Sequence, residues 1–191
     1  MFRALLDTCV LVPGLQRDFL LQLAVEEAYI PVWGSGILFE LDYVLERIHQ
    51  GREFSGSRQF RANLFSQMNE AFPGALVVAP KERNFSYTLL DPDDAHVVHA
   101  ALVGKADAIV TDDARAGFEE SRILEEAHIE IVKPNDFAAN TVFAHPDAGA
   151  RAIKEMAARF SKPAMSELEI IEKLSTQYRM TEVAEILSTL L

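Results

Sequence analysis

Apolar residues recur along the chain in two rhythms, and the alternation between them predicts the fold. Short continuous runs at residues 2–6, 29–33, 76–79, 108–111 and 129–132 have the length of buried strands. Between them the apolar positions return every three or four residues, as on one face of a helix. Phe19, Leu20, Leu23 and Ala24 mark such a face over about 17–28. Ile37, Leu41, Val44, Leu45 and Ile48 mark another, opened by Gly34-Ser35-Gly36 with Ser35 as its cap and stopped at Gly51. Further helices are predicted over 57–72 and 121–127. Pro73-Gly74 turns the chain into the third strand, and Lys133-Pro134 stops the fifth. Strand and helix alternating through residue 138 imply an α/β fold with a mostly parallel sheet.

After that only the helical rhythm persists, over 147–160, 166–177 and 181–191. Ser166 and Glu169 have capping-box spacing, and Val183, Ile186, Leu187 and Leu190 line one side of the last helix, with Leu191 closing the chain. A boundary near residue 140 is therefore expected, between an α/β domain (1–140) and a helical carboxyl-terminal extension (141–191). The last helix is expected to dock on its own α/β domain, because so apolar a stripe left in water invites aggregation.

One stretch concentrates the polar chemistry. Residues 89–113 read LLDPDDAHVVHAALVGKADAIVTDD, with acids at the head of a helix and again at the tail of a strand. Groups just past the carboxyl ends of parallel strands line the ligand crevice of an open sheet. Asp91 and Pro92 suit the cap and first turn of the helix. Asp94 falls on the face carrying Val97, Val98 and Ala101, where a carboxylate is costly unless a cation meets it. Two readings of Asp94 stand side by side, metal chemistry and plain capping. His96 and His99 fall away from that face and read as solvent-facing or subunit-contact residues. The first strand runs into Asp7, and Glu40 borders the apolar stripe of its helix, where it reads equally as an exposed helical acid.

Composition narrows the class. The 191 residues are 49% hydrophobic and 25% charged, the balance of an ordinary globular protein. No run approaches a membrane span, the amino terminus lacks a secretory pattern, and a lone Cys9 forms no intrachain disulfide, so a cytoplasmic setting is expected. A net charge of −11 argues against a nonspecific nucleic-acid coat. A local exception lies at Arg47, Arg52, Arg58 and Arg61, four arginines against the single acid Glu53. It reads either as an RNA-phosphate contact or as a solvated face.

Asp7, Glu40, Asp94 and the Asp112-Asp113 pair are thus expected at one sheet edge. Clustered carboxylates raise one another's pKa unless cations stand between them, and hard oxygen donors select Mg²⁺ or Mn²⁺. Such ions activate water for attack on phosphorus. Thr8 or Thr111 is placed to hydrogen-bond a ligating carboxylate, although Thr8 and Cys9 also read as small residues in a tight strand end.

LLDTCVLVP, ILFELDYVL, DPDDAHVVHAAL and ADAIVTDD, in that order, resemble the four acidic motifs of the PIN-domain nucleases, over roughly residues 2–138. The D-P-D-D phrase resembles the VapC-like toxin branch, and the helical tail the extension of its longer members. The resemblance implies a small α/β/α sandwich, Mg²⁺- or Mn²⁺-dependent RNA cleavage, homodimerisation and a cognate antitoxin. It carries the metal-holding acids onto Asp7, Glu40, Asp94 and Asp113, with Asp112 a helper or a surface acid. Two other readings are a non-catalytic PIN scaffold binding RNA or protein, and an acid-pocket phosphatase with Asp7 as nucleophile. The latter commonly wants an acid two residues on, where this chain has Cys9.

Overall fold

The first strand, β1 (Arg3–Leu6), has Ala4, Leu5 and Leu6 wholly buried, as expected of a strand covered on both faces. In the computed structural model, which describes residues 1–161 and 163–190, it is followed by α1 (Thr8–Leu11), α2 (Gly14–Val25), β2 (Ile30–Gly34) and α3 (Ser35–Gly51). Next come α4 (Ser57–Ala71), β3 (Leu76–Val77), a 3₁₀ turn at Pro92–Asp94 and α5 (Ala95–Gly104). The chain continues through β4 (Ala108–Val110), a 3₁₀ turn at Phe118–Glu120, α6 (Arg122–Glu126) and β5 (Glu130–Val132). It closes with α7 (Pro134–Ala144), α8 (Pro146–Arg159), α9 (Glu167–Tyr178) and α10 (Thr181–Leu190). Leu191 lies outside the described residues.

The strands form one parallel sheet in the order β3-β2-β1-β4-β5, flanked by helices, which is the expected α/β architecture. Leu5 stands opposite Ile109, and Trp33 opposite Leu76. The chain builds outward from β1 to β3, then returns to place β4 on the other side of β1. The reversal makes the β1/β4 junction the switch point of the sheet, where a crevice opens past the strand ends.

Two compact units emerge, and they do not follow a single cut near residue 140. One comprises residues 2–12 and 31–131, and holds almost all of the sheet with α1 and α3–α6. Its core includes Leu5, Leu6, Trp33, Ile37, Leu41, Val97, Val98 and Ile109. The other comprises Met1 and residues 13–30 and 132–191, so that α2 belongs with the carboxyl-terminal helices. There α2 packs on α8 and α9, and α10 packs on α7, α8 and α9. Tyr29 donates to Leu20 O at 2.9 Å and meets the Phe137 ring edge-on at 4.8 Å. Val183 and Leu187 are wholly buried, so the last helix is docked, but on its neighbouring helices rather than on the α/β domain as expected.

Several local expectations are corrected. The third strand ends at Val77, because Leu76 is half exposed and Val78 largely exposed on the edge of the sheet. Lys133-Pro134 stops the fifth strand at Val132 as expected and also opens α7, since proline at the first helical position forfeits no hydrogen bond. Ser35 is the first residue of α3 rather than its cap, and its Oγ instead accepts the Ala79 N–H at 3.0 Å. The capping box at Ser166 and Glu169 forms as the spacing predicts. No helix among the described residues is long and apolar enough to cross a membrane.

Candidate metal centre

The strand β1 delivers Asp7 to the carboxyl edge, where its N–H donates to Val110 O at 3.1 Å and so continues the pairing with β4. The chain then turns at once into α1, because Asp7 caps it: Oδ1 accepts the Thr8 N–H at 2.6 Å. Oδ2 accepts the Thr111 hydroxyl at 2.7 Å and the Cys9 thiol at 3.4 Å. Thr8 and Cys9 are therefore the first turn of a helix, not a strand end. Burial pushes the Asp7 carboxyl above its ordinary pKa and Glu40 adds to the rise, while the bonds from Thr111, Thr8 and Cys9 pull against it.

Glu40 projects from the second turn of α3. Its Oε2 accepts the Thr8 hydroxyl at 2.7 Å, and its Oε1 is ion-paired with Lys81. His96 Nε2 stands 3.6 Å from Oε2. Burial would raise this carboxyl, but His96, Lys81 and Thr8 together outweigh it and hold the pKa at about 2. His96 is thus a buried residue, not the solvent-facing one its helical phase suggests: α5 is apolar on nearly every side, and only 1% of His96 is exposed. Its Nδ1 faces the Asp93 carbonyl at 2.9 Å, which makes Nδ1 the donor and aims Nε2 at Glu40. Gly36 makes room for it. A Cβ there would lie 2.4 Å from His96 Cδ2 and 2.8 Å from Ala79 O. His99 lies elsewhere, stacked on Phe85 at 4.1 Å and bonded to Tyr87 at 3.0 Å.

Asp94 makes no capping bond. The cap of the 3₁₀ turn is Asp91, whose Oδ1 accepts the Asp93 N–H at 3.0 Å. The Asp94 carboxyl is left facing the other acids, and its pKa is pushed up to about 6 by burial and then by the charges of Asp7, Asp91, Glu40 and Asp113. Past β4, side chains alternate in direction. Thr111 is buried against Asp7, Asp112 is exposed, and Asp113 lines the pocket with its N–H on Thr111 Oγ1 at 3.0 Å. Asp112 therefore does not join the acids; only its backbone N–H reaches inward, to Cys9 Sγ at 3.4 Å.

Asp7, Glu40, Asp94 and Asp113 thus line one pocket of about 570 Å³ beside Thr8, Cys9 and Lys81. Sequence reasoning missed Lys81 and the inward His96. Lys81 follows the third apolar run by two residues, which is the signal that would have found it. The arginines separate. Arg61 is buried between Asp42 (2.6 Å) and Glu46 (3.1 Å), so its charge is spent inside the fold and an RNA contact is not open to it. Arg47 stands over the Tyr43 ring at 5.7 Å, and Arg52 and Arg58 are exposed.

Hard oxygen donors crowded until one carboxyl titrates near 6 suit a divalent cation, which would relieve the repulsion. Among the described residues, no three His, Cys, Asp or Glu side chains yet stand together as a ligand shell. Lys81 already occupies one oxygen of Glu40, and hydrogen bonds occupy both oxygens of Asp7.

In a parallel α/β sheet the crevice past the strand ends at the switch point is where ligands bind, and here that crevice is lined by acids. A family model of the PIN domain matches residues 3–115, and the chain belongs to that family. PIN domains are in general nucleases that use divalent metal ions. No curated protein and no solved structure matches the chain.

Proposed function

We propose that the chain is an endoribonuclease of the VapC-like branch, dependent on Mg²⁺ or Mn²⁺, and the toxin of a toxin–antitoxin pair. The observation that carries this reading is the convergence of Asp7, Glu40, Asp94 and Asp113, from four separate parts of the chain, on one pocket at the β1/β4 junction. These four residues would hold the ion. A bound divalent ion supplies activated water and neutralises charge on the phosphate.

The chain's own groups do the rest. Thr111 and the Thr8 N–H fix both oxygens of Asp7, while the Thr8 hydroxyl fixes one oxygen of Glu40 with His96 Nε2 3.6 Å from it, so these two acids are oriented in advance. Arg47, Arg52 and Arg58 offer cations to RNA phosphates. The partners that go with this reading are an RNA substrate, a cognate antitoxin and a second copy of the chain, in the cytoplasm. The exposed rings of Phe39 and Tyr43 on α3 flank Glu40 and give partners an apolar foothold.

The test is cleavage of single-stranded RNA by the purified chain with Mn²⁺ or Mg²⁺, against Asp7→Asn. Equal activity of the two proteins would remove the metal-site reading. A second reading, a non-catalytic scaffold, draws on the Lys81–Glu40 pair, which fills part of the pocket; metal-independent RNA binding without cleavage would favour it. A phosphatase with Asp7 as nucleophile is disfavoured, since that carboxylate is 7% exposed and both oxygens are already bonded.

A further inference from the structure

Lys81 is the cation among the residues lining the pocket, where every other charged side chain is an acid. Its partner Glu40 divides its two oxygens unequally. Oε2 is held by the Thr8 hydroxyl at 2.7 Å, with His96 Nε2 standing 3.6 Å away. Oε1 is held by Lys81. If Lys81 leaves, Glu40 keeps its place and turns a bare oxygen toward the other acids.

The lysine is built to leave. The chain after β3 is anchored at Ala79, whose N–H donates to Ser35 Oγ and whose carbonyl accepts from Gly36. Two residues later, Lys81 opens a turn in a segment, 81–91, that has no strand or helix before Pro92. About a third of its side chain is exposed, so the ammonium already borders solvent and has several rotatable bonds with which to move. A polyanion entering an acid-lined pocket meets repulsion from the four carboxylates, and Lys81 is the positive charge in its lining, with Arg115 at the rim 3.7 Å from Asp113.

We propose that Lys81 serves two partners in turn: it holds Glu40 Oε1 while the pocket lacks a divalent ion, and moves to a phosphate oxygen of single-stranded RNA once the ion takes that oxygen. The inference rests on the nuclease reading above and adds a substrate-contacting residue to it. It explains why a pocket designed for cations carries one of its own without being blocked by it. The exchange keeps a cation beside Oε1 throughout, the ammonium before and the divalent ion after.

Two titrations on the full chain test it, with Lys81→Met, Lys81→Gln and Lys81→Arg beside the unaltered protein. The first is calorimetric titration with Mn²⁺ alone. The second is fluorescence anisotropy of a phosphorothioate single-stranded RNA oligonucleotide at saturating Mn²⁺. Removing the charge in Lys81→Met or Lys81→Gln is expected to tighten Mn²⁺ binding and weaken oligonucleotide binding, each by about threefold to tenfold. Lys81→Arg is expected to stay near the unaltered protein in the second titration. Opposite signs in the two measurements are what a merely structural lysine would not produce. Changes of the same sign, or a change in neither or only one, would overturn the exchange while the nuclease reading stands. No Mn²⁺ binding by the unaltered chain would overturn both.

Discussion

Thr111 donates its hydroxyl to Asp7 across the β1/β4 junction, Oγ1 to Oδ2 at 2.7 Å, from a position 4% exposed. The bond opposes the burial that raises the Asp7 carboxyl. Thr111→Val keeps the shape and deletes the donor, so the Asp7 pKa should move further up. Because Asp7 must be ionised to hold a cation, the acid limb of the pH–rate profile should shift to higher pH, with activity retained at alkaline pH. An unmoved acid limb would separate Asp7 from the reaction.

Asp94 has the opposite problem, having no donor to oppose its neighbours. Its carboxyl is raised to about 6 from an ordinary 3.8, so the folded state binds its proton more tightly than the unfolded chain. That contribution to stability is complete below about pH 4 and is lost as pH rises through about 6. At a half-buried site it amounts to about 1 kcal/mol after solvent screening. Asp94→Asn should therefore raise the metal-free Tm at neutral pH, flatten its dependence between pH 4 and 6, and abolish metal-dependent cleavage.

Gly36 lets three segments meet. Gly36→Ala would press a methyl group against His96 and the Ala79 carbonyl, and overpacking of this kind costs about 1–3 kcal/mol. Thermal denaturation should show the loss, and Glu40, which relies on His96, should lose affinity for Mn²⁺ with it. A neutral substitution would mean that the chain relaxes freely at this contact.

The arginines should divide in experiment as they do in space. Neutralising Arg52 and Arg58 together should weaken RNA binding and flatten its dependence on salt. Arg61→Ala should lower the Tm instead, because it strands Asp42 and Glu46 beside each other without their shared cation. A salt slope unchanged in the double variant would return Arg52 and Arg58 to an ordinary solvated surface.

Leu187 is wholly buried among the carboxyl-terminal helices. Leu187→Ala should cost about 2–5 kcal/mol by denaturant melting. Truncation before residue 181 should cost more, since Val183 and Ala184 are lost from the same buried side. Melting that stays intact after truncation would assign this helix to a partner.

Asp7, Glu40 and Asp113 were legible in the sequence because strand ends, helix starts and their order are local properties, written in apolar rhythm and in caps. Asp94 was legible through its phase on α5, although capping remained open until Asp91 was seen to perform it. The same local rules explain Ser166 with Glu169, and the five strands in parallel alternation with helices. What they could not reach was anything decided by residues far apart in the chain. Lys81 meets Glu40 across 41 positions, and the Ser35 hydroxyl oxygen accepts the Ala79 N–H across 44 instead of capping its own helix. His96 turns inward because Gly36, from another helix, leaves the space. Arg61 is consumed by Asp42 and Glu46, and α2 joins the carboxyl-terminal helices rather than the sheet-bearing unit that surrounds it in sequence. Local pattern determines which elements form and which side is apolar. Tertiary structure decides which charge meets which, since Coulombic and packing energies depend on distance in space and not along the chain.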